Sequence, residues 1–143
     1  DKKERKAILE ELKSETRTII LYEAPHHLVG TLEELYETLG NRRMTLCREL
    51  TKKHETAFCS TIKDLLDFYQ DQKPLGECVL VIEGKSREEI REEEKAAWEE
   101  MSISQHMEVY EKQGIARKEA MKLVAKDRGV TKREIYQALL EIK

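Results

Sequence analysis

Apolar positions change their spacing several times along the chain, and each change predicts a new element. Ile8 and Leu12, with Leu9 beside them, lie on one helical face within the charged stretch 1–15. Thr18-Ile19-Ile20-Leu21-Tyr22 is short, β-branched and apolar, which predicts a buried strand. Pro25 can start the next helix, where its missing N–H costs little. Leu28, Leu32, Leu35 and Leu39 follow at helical spacing, and Gly40 supplies the stop. Arg43-Met44-Thr45-Leu46-Cys47 and Thr56-Ala57-Phe58-Cys59 predict two further strands joined by a polar loop. Thr61 with Asp64 resembles a capping box for a helix carrying Ile62, Leu65, Leu66 and Tyr69. Beyond Pro74-Leu75-Gly76, the run Cys78-Val79-Leu80-Val81-Ile82 is the most apolar in the chain and predicts a central strand.

The order β-α-β-β-α-β predicts an α/β fold over residues 1–86, a mixed sheet covered by helices. Residues 87–100 hold seven Glu against Arg87, Arg91 and Lys95. They read as an acidic helical linker, solvated, with Trp98 docking it onto a neighbour. Residues 101–143 predict three short helices. Ile103, Met107 and Tyr110 stripe the first, which Gly114 ends; Ala116, Ala120, Leu123 and Val124 stripe the second, which Gly129 ends. The third follows the capping box Thr131–Glu134 and turns Ile135, Ala138, Leu139 and Ile142 inward. Seven basic and two acidic residues within 115–133 make this a basic three-helix module.

The chain has 143 residues, of which 38% are charged, and no apolar run approaches the ~20 residues of a spanning helix. A net charge of −3 names no partner by itself. Cys47, Cys59 and Cys78 each sit in an apolar run without a C-x-x-C pair, so buried reduced thiols are expected. No signal peptide opens the sequence, so the cytoplasm is the expected location, with no membrane partner. The start at Asp1, in mid-pattern, reads as part of something longer.

Candidate chemistry concentrates in Arg48-Glu49-Leu50-Thr51-Lys52-Lys53-His54-Glu55. This strand-to-strand loop holds no Gly, Asn or Asp, the residues a plain turn favours. Glu49, Lys52 and His54 could position a substrate or move a proton, while an ordinary charged loop that Arg48 and Glu49 merely fix is the competing reading. Adjacent His26 and His27 cannot both face one metal on a regular helix, and no Cys or carboxylate pattern completes a site, so no metal is expected. His106 is expected as an exposed helical residue. A helix, the Gly129 turn and a capped helix over residues 117–140 also fit a helix-turn-helix, the mark of a DNA-binding regulator module.

Three ordered segments carry a resemblance: Thr16-Arg17-Thr18-Ile19-Ile20-Leu21-Tyr22-Glu23-Ala24-Pro25-His26, then Cys47 to Glu55, then Gly76-Glu77-Cys78-Val79-Leu80-Val81-Ile82-Glu83-Gly84. Together they resemble the C-terminal half of the tetrapyrrole-methylase superfamily and, within it, the ribosomal RNA small subunit methyltransferase I group. The tail from Ala120 to Tyr136 is similar to the ending of that group. The resemblance implies S-adenosylmethionine-dependent methylation of the ribose 2′-hydroxyl of a cytidine in small-subunit ribosomal RNA. It places the cofactor in a cleft between two halves, of which this chain lacks the glycine-rich N-terminal one, so the chain alone is expected to be inactive. Carried over, the cofactor wall is Tyr22, Leu50, Thr51, Ile82 and Glu83. The substrate side is Arg48, Lys52 and His26, with Lys118, Lys122 and Lys126 on RNA, and Glu49 and His54 are the candidate proton acceptors. The implied partners are small-subunit ribosomal RNA or the small ribosomal subunit, the missing half, and a second copy in a homodimer. A corrin or porphyrin methylase half is the alternative within the superfamily, although a small macrocycle does not require the basic tail. Two positions depart from the pattern: His27 stands where Arg or Lys is usual, and Ala116 where a Ser cap is usual.

Overall fold

In the computed structural model, which describes residues 1–141, the alternation of large apolar side chains builds one four-stranded sheet in a first unit, Asp1–Ser86. Its elements are α1 (Lys2–Leu12), β1 (Ile19–Glu23), a 3-10 turn (Pro25–His27) running into α2 (Leu28–Leu39), β2 (Arg43–Arg48), β3 (Thr56–Thr61), α3 (Ile62–Phe68) and β4 (Cys78–Ile82). The strand order is β1-β4-β2-β3. The α/β class and the central place of Cys78–Ile82 are as expected. The sheet, however, is antiparallel at every pairing rather than mixed. The reason is topological: β1 and β2, joined through α2, run in the same direction, but β4 inserts between them and pairs with both in the opposite sense.

Register divides the sheet into two unlike faces. Ile19, Met44, Leu46, Leu80 and Ile82 are buried with Leu28, Leu32, Leu35, Ile62 and Leu65 from the helices. Each fully buried aliphatic contributes roughly 1.5–3 kcal/mol. The opposite face carries the rows Ile20-Val81-Thr45-Cys59 and Tyr22-Val79-Cys47-Ala57, with the pair Arg43-Thr61 beyond them. Here Ile20 is 58% and Tyr22 83% exposed. All three cysteines are free, but only Cys78 is buried; Cys47 is half-buried and Cys59 is exposed, because it lies on the bare face of the edge strand β3. Gly84 is needed where β4 ends, since a Cβ there would stand 2.3 Å from the Thr16 carbonyl oxygen.

The second unit, Arg87–Lys143, holds α4 (Arg87–Glu99), α5 (Ile103–Glu111), α6 (Arg117–Arg128) and α7 (Lys132–Glu141). Met107, Ala120, Val124, Ala125 and Ile135 form its core. Ser102 and Gln105 make a reciprocal capping box for α5, and Gly129 closes α6 in the left-handed region at φ +65°. At α7, the Thr131 hydroxyl accepts from the Glu134 N–H at 3.3 Å, and the Glu134 carboxylate accepts from the Thr131 N–H at 2.6 Å. Ile142, expected on the inward face, lies outside the described residues.

His106 is fully buried rather than exposed. Its Nε2 lies 3.1 Å from the Asp127 carboxylate, and its Nδ1 accepts from Arg128 Nε at 3.1 Å. Both ring nitrogens are satisfied, which removes the main penalty of burial. Trp98 stacks on the ring at 4.0 Å, so α4, the acidic stretch, is docked by this contact within the second unit. Tyr110 donates its hydroxyl to the same Asp127 carboxylate, and burial with that bond pushes the phenol up to about 12.

Candidate functional site

The loop between β2 and β3 holds the two described non-glycine residues with positive φ, Glu49 at +50° and Thr51 at +64°. Left-handed backbone costs such residues about 1–2 kcal/mol each, so the loop must be held from outside. Residues 75–77, which lead into β4, hold it. The Glu49 N–H donates to the Glu77 carbonyl at 3.0 Å, and Glu49 Oε1 accepts from the Glu77 N–H at 2.7 Å. Lys52 Nζ bridges Glu49 Oε2 at 3.2 Å and Glu77 Oε2 at 2.9 Å. Arg48 Nε donates to the Leu75 carbonyl at 2.8 Å, and the Thr51 N–H donates to the Glu55 carboxylate at 2.5 Å. Gly76 (φ +81°) lets the two segments close, because a Cβ there would stand 2.4 Å from Glu49 Oε1.

These bonds define the chemistry of the loop. The Glu77 N–H, followed by Lys52, holds the Glu49 carboxyl below the usual carboxylate range. As placed, Glu49 anchors the loop to the segment before β4. The Lys52 ammonium is held above its ordinary value by Glu77 and then Glu49.

The clamp turns Leu50, 40% exposed, toward the end of β1. Leu50, Tyr22, Ala24 and Val79, with the acids Glu23 and Glu77, line a cavity of about 620 Å³. That volume suits a small organic ligand. Glu23 shapes the far wall: Oε1 accepts from the Ala24 N–H at 2.9 Å and Oε2 from the Thr31 hydroxyl at 2.6 Å. A second cavity, about 760 Å³, opens on the α1 side of Tyr22 and Glu23 and is lined there by His26 and His27.

The structure therefore brings Tyr22 and Leu50 together, with Arg48, Glu49 and Lys52 in the clamp behind them. Thr51 lies in the loop without lining the cavity, and His54 is exposed farther along it. Ile82 and Glu83 sit at the other end of β4, where Ile82 pairs with Ile19 and is buried, so they do not join the Tyr22–Leu50 group. Lys118, Lys122 and Lys126 are exposed and, four residues apart, form one stripe of α6; Lys122 pairs with Glu119 at 2.9 Å. Gly76, Glu77 and Glu23 carry much of the geometry and were not assigned roles from the sequence. The one signal for them was a glycine-acid pair immediately before the most apolar strand. Among the described residues, no group of three or more His, Cys, Asp or Glu is placed to hold a metal ion, and no helix is long and apolar enough to cross a membrane.

No protein-family model matches the chain. Curated proteins do. The chain is 45% identical over 137 residues to the ribosomal RNA small subunit methyltransferase I of Bacillus subtilis, 43% over 135 residues to that of Halalkalibacterium halodurans and 34% over 140 residues to that of Synechocystis sp.. The alignments cover 96%, 94% and 97% of this chain but 47%, 46% and 48% of the respective relatives. The chain thus spans about half the length of the curated relatives it matches, consistent with their C-terminal half.

Proposed function

We propose that this chain forms the C-terminal half of an S-adenosylmethionine-dependent methyltransferase acting on the ribose 2′-hydroxyl of a cytidine in small-subunit ribosomal RNA, and that it is inactive without its other half. The observation that carries the reading is near-complete alignment of the chain with half of proteins named as ribosomal RNA methyltransferases. The cavity at the end of β1 fits the cofactor. Tyr22, Ala24, Leu50 and Val79 offer apolar contact, and the carboxylates of Glu23 and Glu77, paired with Arg5 and Lys52, complete the lining.

When bound, S-adenosylmethionine supplies an electrophilic methyl group carried on positively charged sulfur. The chain's own part is to orient and to exclude water. Tyr22 and Leu50 form the dry wall, and Glu49 holds the loop that presents Leu50. Because Glu49 is committed to the Glu77 N–H and Lys52, His54 is the other candidate proton acceptor. Arg48 and Lys52 lie on the substrate side, and the α6 stripe of Lys118, Lys122 and Lys126 engages RNA phosphate.

The test uses the full-length protein, S-adenosylmethionine labelled in its methyl group, and small ribosomal subunits from cells lacking the enzyme. Label is expected on the ribose of one cytidine, with none transferred by this chain alone. Label on a base, or none in RNA with the full-length protein, overturns the reading.

A further inference from the structure

We propose that the outward side of α7 stacks on an unpaired base of RNA, with Tyr136 as the platform. A surface helix carries charged and polar residues opposite its apolar stripe. On α7 that stripe is complete without Tyr136, since Ile135 is fully buried and Leu139 packs against the same core. Tyr136 and Leu140, one turn apart, are nevertheless 55% and 51% exposed. Lys132 and Arg133 precede Tyr136 by one helical turn, the spacing at which helix side chains are neighbours. The acid beside them in sequence, Glu134, is turned back onto Thr131, where its carboxylate accepts from the N–H and from the hydroxyl, each at 2.6 Å. An aromatic ring bordered by cations is thus presented to solvent.

Each part of that surface narrows the choice of ligand. Cations select a polyanion. An exposed aromatic ring selects flat π-faces, which nucleobases supply whatever their sequence. Bases inside a duplex cover those faces with one another, and the deep, narrow major groove of A-form RNA does not admit side chains. A helix that reads the major groove of DNA works through hydrogen-bonding side chains on base edges, whereas here Tyr136 and Leu140 take outward positions. The ligand is therefore RNA with splayed-out, unpaired nucleotides. The other helix of the pair, α6, carries the exposed Lys118, Lys122 and Lys126, so the lysines hold the backbone while Tyr136 holds a base. That the RNA is ribosomal rests on the proposed function; the stacking surface itself does not.

The experiment reads binding of fluorescein-labelled oligouridine to the full-length protein by anisotropy over a range of salt. Oligouridine is expected to bind more tightly than an RNA duplex of the same length. Tyr136→Leu is expected to weaken that binding about tenfold. Its salt slope and melting temperature should match the parent's, because a stacked ring releases no counterions. Tyr136→Phe and Tyr136→Trp keep an aromatic face and should bind within about twofold of the parent. Unchanged affinity in Tyr136→Leu overturns the proposal. So does an equal loss in Tyr136→Phe, which marks the hydroxyl rather than the ring. Tighter binding of a DNA duplex overturns it in favour of a regulator. A fall in sedimentation mass with Tyr136→Leu overturns it as well, since the surface would then lie between copies. Ribose methylation of small ribosomal subunits, measured on the same samples, separates the two readings. Stacking in a parent that transfers no methyl group sinks the function and spares the surface; transfer by a parent whose Tyr136→Leu variant binds normally does the reverse.

Discussion

Arg128 holds the turn between α4 and α5, and removing it should unlock most of the helical unit. Its Nη2 donates to the carbonyls of Trp98 at 2.7 Å and Met101 at 2.5 Å, and its Nε donates to His106 Nδ1 at 3.1 Å. Arg128→Ala leaves all three acceptors without their donor. A bond from a charged donor contributes about 1.5–3 kcal/mol. The two carbonyls near the end of α4 can turn partly to water, whereas the buried His106 nitrogen cannot, which brings the expected loss to about 3 kcal/mol. Set against roughly 0.05–0.15 kcal/mol per residue, that is a third or more of the stability of this unit. Trp98 is the single tryptophan in the chain and stacks on His106, so its fluorescence reports the same locus. With a urea slope of about 1 kcal/mol/M, the Trp98 transition should fall by about 3 M. Arg128→Lys keeps the charge without the fork and should recover less than half of the loss. A midpoint for Arg128→Ala within about 0.5 M of the parent would refute the argument.

Burial, reinforced by Arg128 and opposed by the Asp127 bond, holds the His106 imidazole below its ordinary value of 6.5. The unfolded chain therefore takes up a proton that the folded unit refuses, and stability should be full above pH 6.5 and fall as pH drops below it toward the folded value. Trp98-detected melts between pH 7.5 and 5.5 (about one unit either side of the histidine midpoint) should show that slope, and it should vanish in His106→Gln. Ala116 caps α6 without a side-chain bond, in extended backbone that serine accepts; Ala116→Ser should raise the stability of the helical unit by about 1 kcal/mol in a urea titration. Gly76→Ala forces a Cβ onto the Glu49 carboxylate at φ +81°. It should lose about 1–2 kcal/mol from backbone strain and, in the full-length protein, lower methyl transfer beyond what the melting shift explains. Replacing Lys118, Lys122 and Lys126 with Ala should flatten the salt dependence of RNA binding by about 0.7–0.9 per phosphate contact removed; an unchanged slope would mean that the stripe is only a solvated face.

Local pattern was a good guide wherever local forces decide. Cys78–Ile82 is a central strand, with Cys78, Leu80 and Ile82 buried on one face and Val79 and Val81 half-buried on the other, and the Gly40 and Gly129 stops fall where helices end. Pattern was silent where partners far along the chain decide. Nothing in β1 or β2 tells that β4 will insert between them, so strand direction was misjudged while strand existence was not. His106 sits among polar neighbours and reads as exposed; its burial depends on Asp127 and Arg128, 21 and 22 residues away. Cys59 shares an apolar run with Phe58, yet both are exposed because β3 is an edge.

The loop after β2 shows the same division at the candidate site. Its dense charge was legible, and so was its lack of Gly, Asn and Asp, but the reason for that lack was not. A turn stabilised by its own residues would put glycine where Glu49 and Thr51 take positive φ. Here the left-handed cost is offset from 28 residues away, through the Glu77 N–H and the Glu49 carboxylate. The glycine has in effect moved to the other segment, at Gly76, where the carboxylate needs room. An arrangement of this kind ties the shape of the loop to the start of β4, and with it the position of Leu50 relative to Tyr22. A self-sufficient turn would leave that distance free, whereas a tethered one sets the width of the cavity from the sheet itself.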